Sequence, residues 1–114
     1  MESILTSVKK MLGITEDYDA FDADLIMHIN SVFMVLCQLG VGPAGGFVIE
    51  DSGAEWSQFI GNSTTNIESI KSYMYLKVRL LFDPPLSSAV TDSMNRMISE
   101  YEWRLNVAAD STKS

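Results

Sequence analysis

The chain has 114 residues, 46% of them hydrophobic and 20% charged, with a formal net charge of −7. That is enough apolar material to bury a core, so a disordered chain is excluded and one compact unit over residues 1–114 is expected. The eight basic residues are scattered along the chain, which leaves no electrostatic footprint for gripping a phosphate backbone. A single cysteine, Cys37, excludes an internal disulfide, and the segment from Met1 to Gly13 lacks the basic-then-apolar order of a secretory signal. A reducing cytoplasm is the expected place of synthesis, and no apolar run is long enough to predict a membrane span.

Ile4, Leu5, Val8 and Leu12 recur at helical spacing, and Gly13 stands where a left-handed terminating residue belongs. The acidic stretch after it, with Glu16, Asp17, Asp19, Asp22 and Asp24, suits the positive end of the next helix, with Asp17 or Asp19 as its cap. That helix is predicted from Phe21 to Leu39, with Phe21, Leu25, Ile29, Val32, Phe33 and Leu36 on its core face. Its opposite side carries Asp24, His28, Ser31 and Gln38, but also Met27, Met34 and Val35, which is more apolar surface than a solvated face should show.

Gly40 to Gly46 reads as a glycine-rich loop, Phe47 to Glu50 as a short extended run, and Ala54 to Ile60 as one or two helical turns before a polar linker. A second long helix is predicted from Asn66 to Phe82. Ile67, Ile70, Met74, Val78 and Leu81 form one face, and Tyr73, Leu76 and Leu80 widen it. A helix apolar on most sides belongs in the middle of a bundle or between subunits. Asp83, Pro84 and Pro85 then make a rigid corner, because proline lacks the amide a helix needs and forces the preceding residue out of helical dihedrals. Ser87 or Ser88 caps a last helix to about Ala109 that buries Val90, Met94, Met97, Ile98, Tyr101 and Leu105. The fold expected is all-α, a small bundle of about four main helices with a loop and short extended excursion over residues 40–52 and a flexible C-terminal tail over 110–114.

Chemical motifs fail on inspection. Gly40, Gly42 and Gly45 match a dinucleotide fingerprint, but a helix precedes them, an extended run follows, and Pro43 removes one of the amides a pyrophosphate would need. Asp17, Asp19, Asp22 and Asp24 do not make a calcium loop, since its sixth and twelfth positions would fall on Asp22 and His28 instead of glycine and glutamate. His28 and Cys37 lie nine residues apart, on opposite sides of one helix, so they assemble no catalytic pair. No enzyme, no cofactor and no metal are expected. Trp103 projects beside Asp92, Arg96, Ser99 and Asn106, and on that polar face it either covers its own helix or anchors another chain. Glu100 precedes Arg104 by four, the favourable order for a helical ion pair.

The phrases HINSVFMVLCQLGVGP, FVIED, SYMYLKVRLLFDPP and EYEWRLN, in that order, resemble the head-tail connector, or head-completion adaptor, proteins of tailed double-stranded-DNA phages. The resemblance implies a helical virion protein of the neck, assembled in the host cytoplasm. It would close into a ring matching the portal's symmetry, contact portal and a stopper or tail-completion protein, and let DNA pass without specific binding or any membrane. The faces available for such contacts are the Met27, Met34, Val35 side of the second helix and the Trp103 side of the last. By position, the family's contact segments would be the Val41 to Asp51 excursion, with Val41, Phe47 and Ile49, and the segment from Arg104 and Leu105 onward. Glu16, Asp17, Asp19, Asp22 and Asp24 are candidate channel-facing acids, since negative charge repels phosphate. The alternative is a small acidic helical module, an adaptor or DNA mimic, that binds a protein partner.

Overall fold

The structure is a computed structural model, and it describes residues 2–61 and 67–111. Five helices follow one another, α1 (Ile4–Met11), α2 (Asp22–Gln38), α3 (Trp56–Ile60), α4 (Ile67–Phe82) and α5 (Ser88–Ser111), with no strand among the described residues. The expected start of α4 at Asn66 and the linker before it lie outside those residues. So do residues 112–114 of the expected tail, into which α5 runs as far as Ser111.

Local chemistry accounts for most helix ends. Ser3 caps α1 by accepting a hydrogen bond from the Thr6 amide at 3.2 Å, and Lys9 and Lys10 sit in its last turn, where the helix dipole favours cations. Gly13, at φ +81°, turns the chain, and the amide of Ile14 reaches back to the Lys9 carbonyl at 2.8 Å. α2 ends the same way: Gly40 adopts φ +87° and the Val41 amide donates to the Leu36 carbonyl at 2.8 Å. Both are Schellman endings, which place the apolar residue after the glycine against its own helix.

The start of α2 differs from expectation. Phe21 occupies the cap position without a side-chain bond, and neither Asp17 nor Asp19 caps the helix. Lys9 explains this. Its ammonium donates to the Glu16 carbonyl at 2.9 Å and lies 2.9 Å from Asp22 Oδ1. The connecting loop is therefore drawn onto α1, and Asp22 enters the first turn of α2 as the partner of a buried cation.

α4 packs against α1, α2 and α5, the bundle centre that was one of the two places its wide apolar circumference allowed. Trp56, Tyr73, Phe33 and Leu36 are among the fully buried side chains of the core. Trp56 donates its indole N–H to Ser7 Oγ at 2.7 Å, and an isolated bridge between Ser3 and Glu55 ties the start of α1 to the start of α3.

The subunit measures 43 × 35 × 19 Å. A thickness of 19 Å is about two helix diameters, so helices on the flanks have few neighbours. Four residues expected in the core are accordingly exposed: Phe21, Leu81, Val90 and Met97. Periodicity identified apolar arcs correctly but not how much of each arc a partner helix covers.

Candidate interaction surfaces

The glycine loop is built for close packing. A Cβ on Gly42, whose φ is +93°, would stand 2.5 Å from Phe59 Cε1, so the backbone lies directly on that ring. Phe47 meets Phe33 and Phe59 edge-on, with ring centroids 5.1 and 5.4 Å apart. The run after the loop forms no strand; the Asn30 side chain takes a strand's place. Its amide nitrogen donates to the Ile49 carbonyl at 3.0 Å, and its oxygen accepts from the Ile49 amide at 2.8 Å. Val41 and Ile49 are consequently buried. Neither has a side-chain surface to offer a neighbour, and half-buried Phe47 is engaged in the aromatic cluster. In this excursion the large hydrophobic side chain left exposed is Val48.

On α2, Met27 and Met34 are 59% and 60% exposed, one above the other on the outer side. Val35 is half-buried and packs on the core, so that strip is narrower than the spacing implied. On α5, Trp103 is 68% exposed, while Leu105 is in the core at 5%. Arg104 pairs with Glu100 at 2.6 Å.

The corner is rigid at both ends. Arg79 donates to the Asp83 carbonyl and to the Tyr75 hydroxyl, and Ser87 Oγ accepts from the Val90 amide at 3.3 Å. Leu86 projects fully from it. Beside it Tyr18, Phe21 and Phe82 stack edge-on, with centroids 5.6 and 5.1 Å apart.

Of the acids, Glu16, Asp17, Asp19 and Asp24 are exposed. Asp22 is committed to Lys9, whose side chain is only 3% exposed, and so is not available to a channel. His28 and Cys37 are half-buried on α2, and no group of three or more His, Cys, Asp or Glu side chains among the described residues is placed to hold a metal. No helix among them is long and apolar enough to cross a membrane.

With these surfaces in place, the decisive comparison is with protein families: the model of the phage connector proteins matches residues 4–112. The chain belongs to the phage connector protein family. This is a structural family, and membership agrees with a helical subunit whose apolar side chains remain outside its own core. No curated protein and no solved structure matches the chain.

Two features of this connector-family subunit went unread in the sequence. One is an apolar cleft of about 300 Å³ between α1, α4 and α5, lined by Met11, Ser72, Tyr75, Leu76, Met97 and Tyr101. It needs three helices to exist, so no single periodicity marks it. The other is charge segregation. Residues 1–61 hold nine acids and two bases, whereas residues 67–114 hold six of each. The whole net charge therefore belongs to the first half, and a count by halves would have found it.

Proposed function

We propose that this chain is a structural subunit of the junction between phage head and tail, closing with copies of itself into a ring at the portal vertex and extending the DNA channel. One observation carries the reading: Met27 and Met34 on α2, and Trp103 on α5, are among the most exposed of the large apolar side chains left outside the core. A cyclic assembly uses two different faces per subunit, and apolar patches on separate helices supply them. Portal would meet one rim of the ring and a stopper or tail-completion protein the other, which puts the protein in the neck of the virion. The acidic first half suits a wall past which DNA slides, because like charge keeps phosphate from sticking.

A DNA-mimic module is the weaker reading, because the acids cluster only over residues 16–24 and some are already paired inside the chain. Asp22 is held by Lys9, Glu100 by Arg104, and Glu2 lies 3.4 Å from Lys71.

The test is binding to purified portal. Light scattering and electron microscopy should show rings on portal and a strong excess of bound subunits over any free oligomer, since small interfaces alone do not repay the entropy of association. A chain that ignores portal and stays monomeric at high concentration would end this reading.

A further inference from the structure

We infer that residues 47–50 are the open edge of an unfinished sheet, and that an extended, basic segment of another protein completes it by adding a strand. This contact does not depend on ring closure.

The run alternates as a strand does. Phe47 is half-buried in the aromatic cluster and Ile49 is 2% exposed, whereas Val48 is 67% exposed and Glu50 is exposed beyond it. In an extended chain the amide and carbonyl of one residue point to one lateral side, and those of its two neighbours point to the other. Ile49 gives both of its groups to the Asn30 side chain, at 2.8 and 3.0 Å. Val48 and Glu50 therefore direct theirs away from Asn30, and neither backbone makes a hydrogen bond among the described residues. One side of the run is paired, and the other is open.

The edge is also held in place. Before it, Gly42 lies on the Phe59 ring, and after it the Asp51 carboxylate accepts from the Gly53 amide at 2.7 Å. The chain then joins α1, where the Ile4 amide donates to the Ala54 carbonyl at 3.0 Å. A strand that adds to a fixed edge has to order little of this subunit, so main-chain pairing alone can hold a partner.

Charge selects the occupant. Glu50 and Asp51 are exposed at the edge, and the chain carries no lysine or arginine from Met11 to Ile70. Two copies paired edge to edge would gather four carboxylates with no base of either segment among them, and like charges facing across strands destabilise the pair. The arriving strand therefore belongs to a different protein. Lysine or arginine on its outer face would cover Val48 with apolar stems and meet Glu50 with opposite charge.

The experiment titrates the full-length protein with a short end-capped peptide of alternating lysine and valine, following backbone amides by nuclear magnetic resonance. A glutamate–valine peptide and a lysine–glycine peptide serve as controls for charge and for strand formation. In the free protein the amides of Val48 and Glu50 should exchange quickly with solvent and that of Ile49 slowly. The lysine–valine peptide should slow exchange at Val48 and Glu50 at least about tenfold and leave Ile49 unchanged, an alternation that diffuse electrostatic contact does not produce. Val48→Pro removes an outward amide that has no partner in the subunit. It should abolish binding with circular dichroism and melting unchanged. Glu50→Lys should weaken binding of the lysine–valine peptide about fivefold, the worth of one cross-strand charge pair, and strengthen that of the glutamate–valine peptide. Binding retained by Val48→Pro, equal binding of the lysine–glycine peptide, or unchanged exchange at Val48 and Glu50 with peptide at about 1 mM overturns the open edge. Equal protection by the glutamate–valine peptide overturns the basic occupant. Ring formation on portal is measured separately, and none of these outcomes decides it.

Discussion

Lys9 and Asp22 face each other at 2.9 Å across the junction of α1 and α2, with the lysine side chain 3% and the aspartate 30% exposed. The pair joins two helices and fixes the loop between them. Asp22→Ala strands a buried ammonium with the Glu16 carbonyl as a remaining partner. Urea denaturation should show a loss of about 2 kcal/mol, below the 3–5 kcal/mol typical of a fully enclosed pair because Asp22 keeps some contact with water. Lys9→Met combined with Asp22→Leu should recover most of it, since an apolar pair of similar size removes the desolvation cost.

Ser7 links Trp56 to the first turn of α1 inside the core: its hydroxyl accepts the indole N–H at 2.7 Å and donates to the Ile4 carbonyl at 3.0 Å. Ser7→Ala leaves the buried indole unsatisfied. The expected cost is about 1–3 kcal/mol, together with a change in the near-ultraviolet circular dichroism of Trp56. Ser7→Thr, which keeps the acceptor, should fall between the two.

The Tyr73 hydroxyl donates to Glu102 Oε2 at 2.7 Å, joining α4 to α5. Burial first, then the hydrogen bond to Glu102 and its negative charge, push the phenol well above its ordinary value, which is about 10. The folded protein thus keeps a proton that the unfolded chain releases. Its contribution to stability is complete below about pH 10 and declines as the pH rises further. Denaturation midpoints measured from pH 8 to 11.5, on the order of that range, should fall more steeply for wild type than for Tyr73→Phe. Parallel curves would contradict the assignment.

Gly42→Ala should be among the most damaging single-methyl changes in the chain. It asks alanine to hold φ +93° and drives a Cβ to 2.5 Å from Phe59. Strain of about 1–3 kcal/mol adds to a similar overpacking cost. Gly45→Ala, where a Cβ meets nothing within 4 Å, is the control and should melt close to wild type.

Met27→Ser with Met34→Ser should leave the melting curve within about 0.5 kcal/mol of wild type, as expected for exposed sites. Binding to portal or to other copies should fall. A variant that binds normally would remove α2 from the contact surfaces.

The helices, their glycine-terminated ends and the double-proline corner were legible in the amino-acid order, because each depends on neighbours within a turn or two. The apolar circumference of α4 narrowed its place to the middle of the bundle or a subunit boundary, and the packing of α1, α2 and α5 around it is what the tertiary structure adds. Other features were out of reach of any local pattern. Val41, Ile49 and Leu105 passed for contact residues, yet a Schellman ending, the Asn30 side chain and the packing of α5 enclose them. Phe21, Leu81, Val90 and Met97 passed for core, yet a slab two helices thick leaves them uncovered. Spacing states which side chains share a face. Only the packing of one helix on another, set by residues far apart in the chain, decides whether that face is covered, which is why the Lys9–Asp22 pair and the cleft beside Met97 exist in the tertiary structure alone.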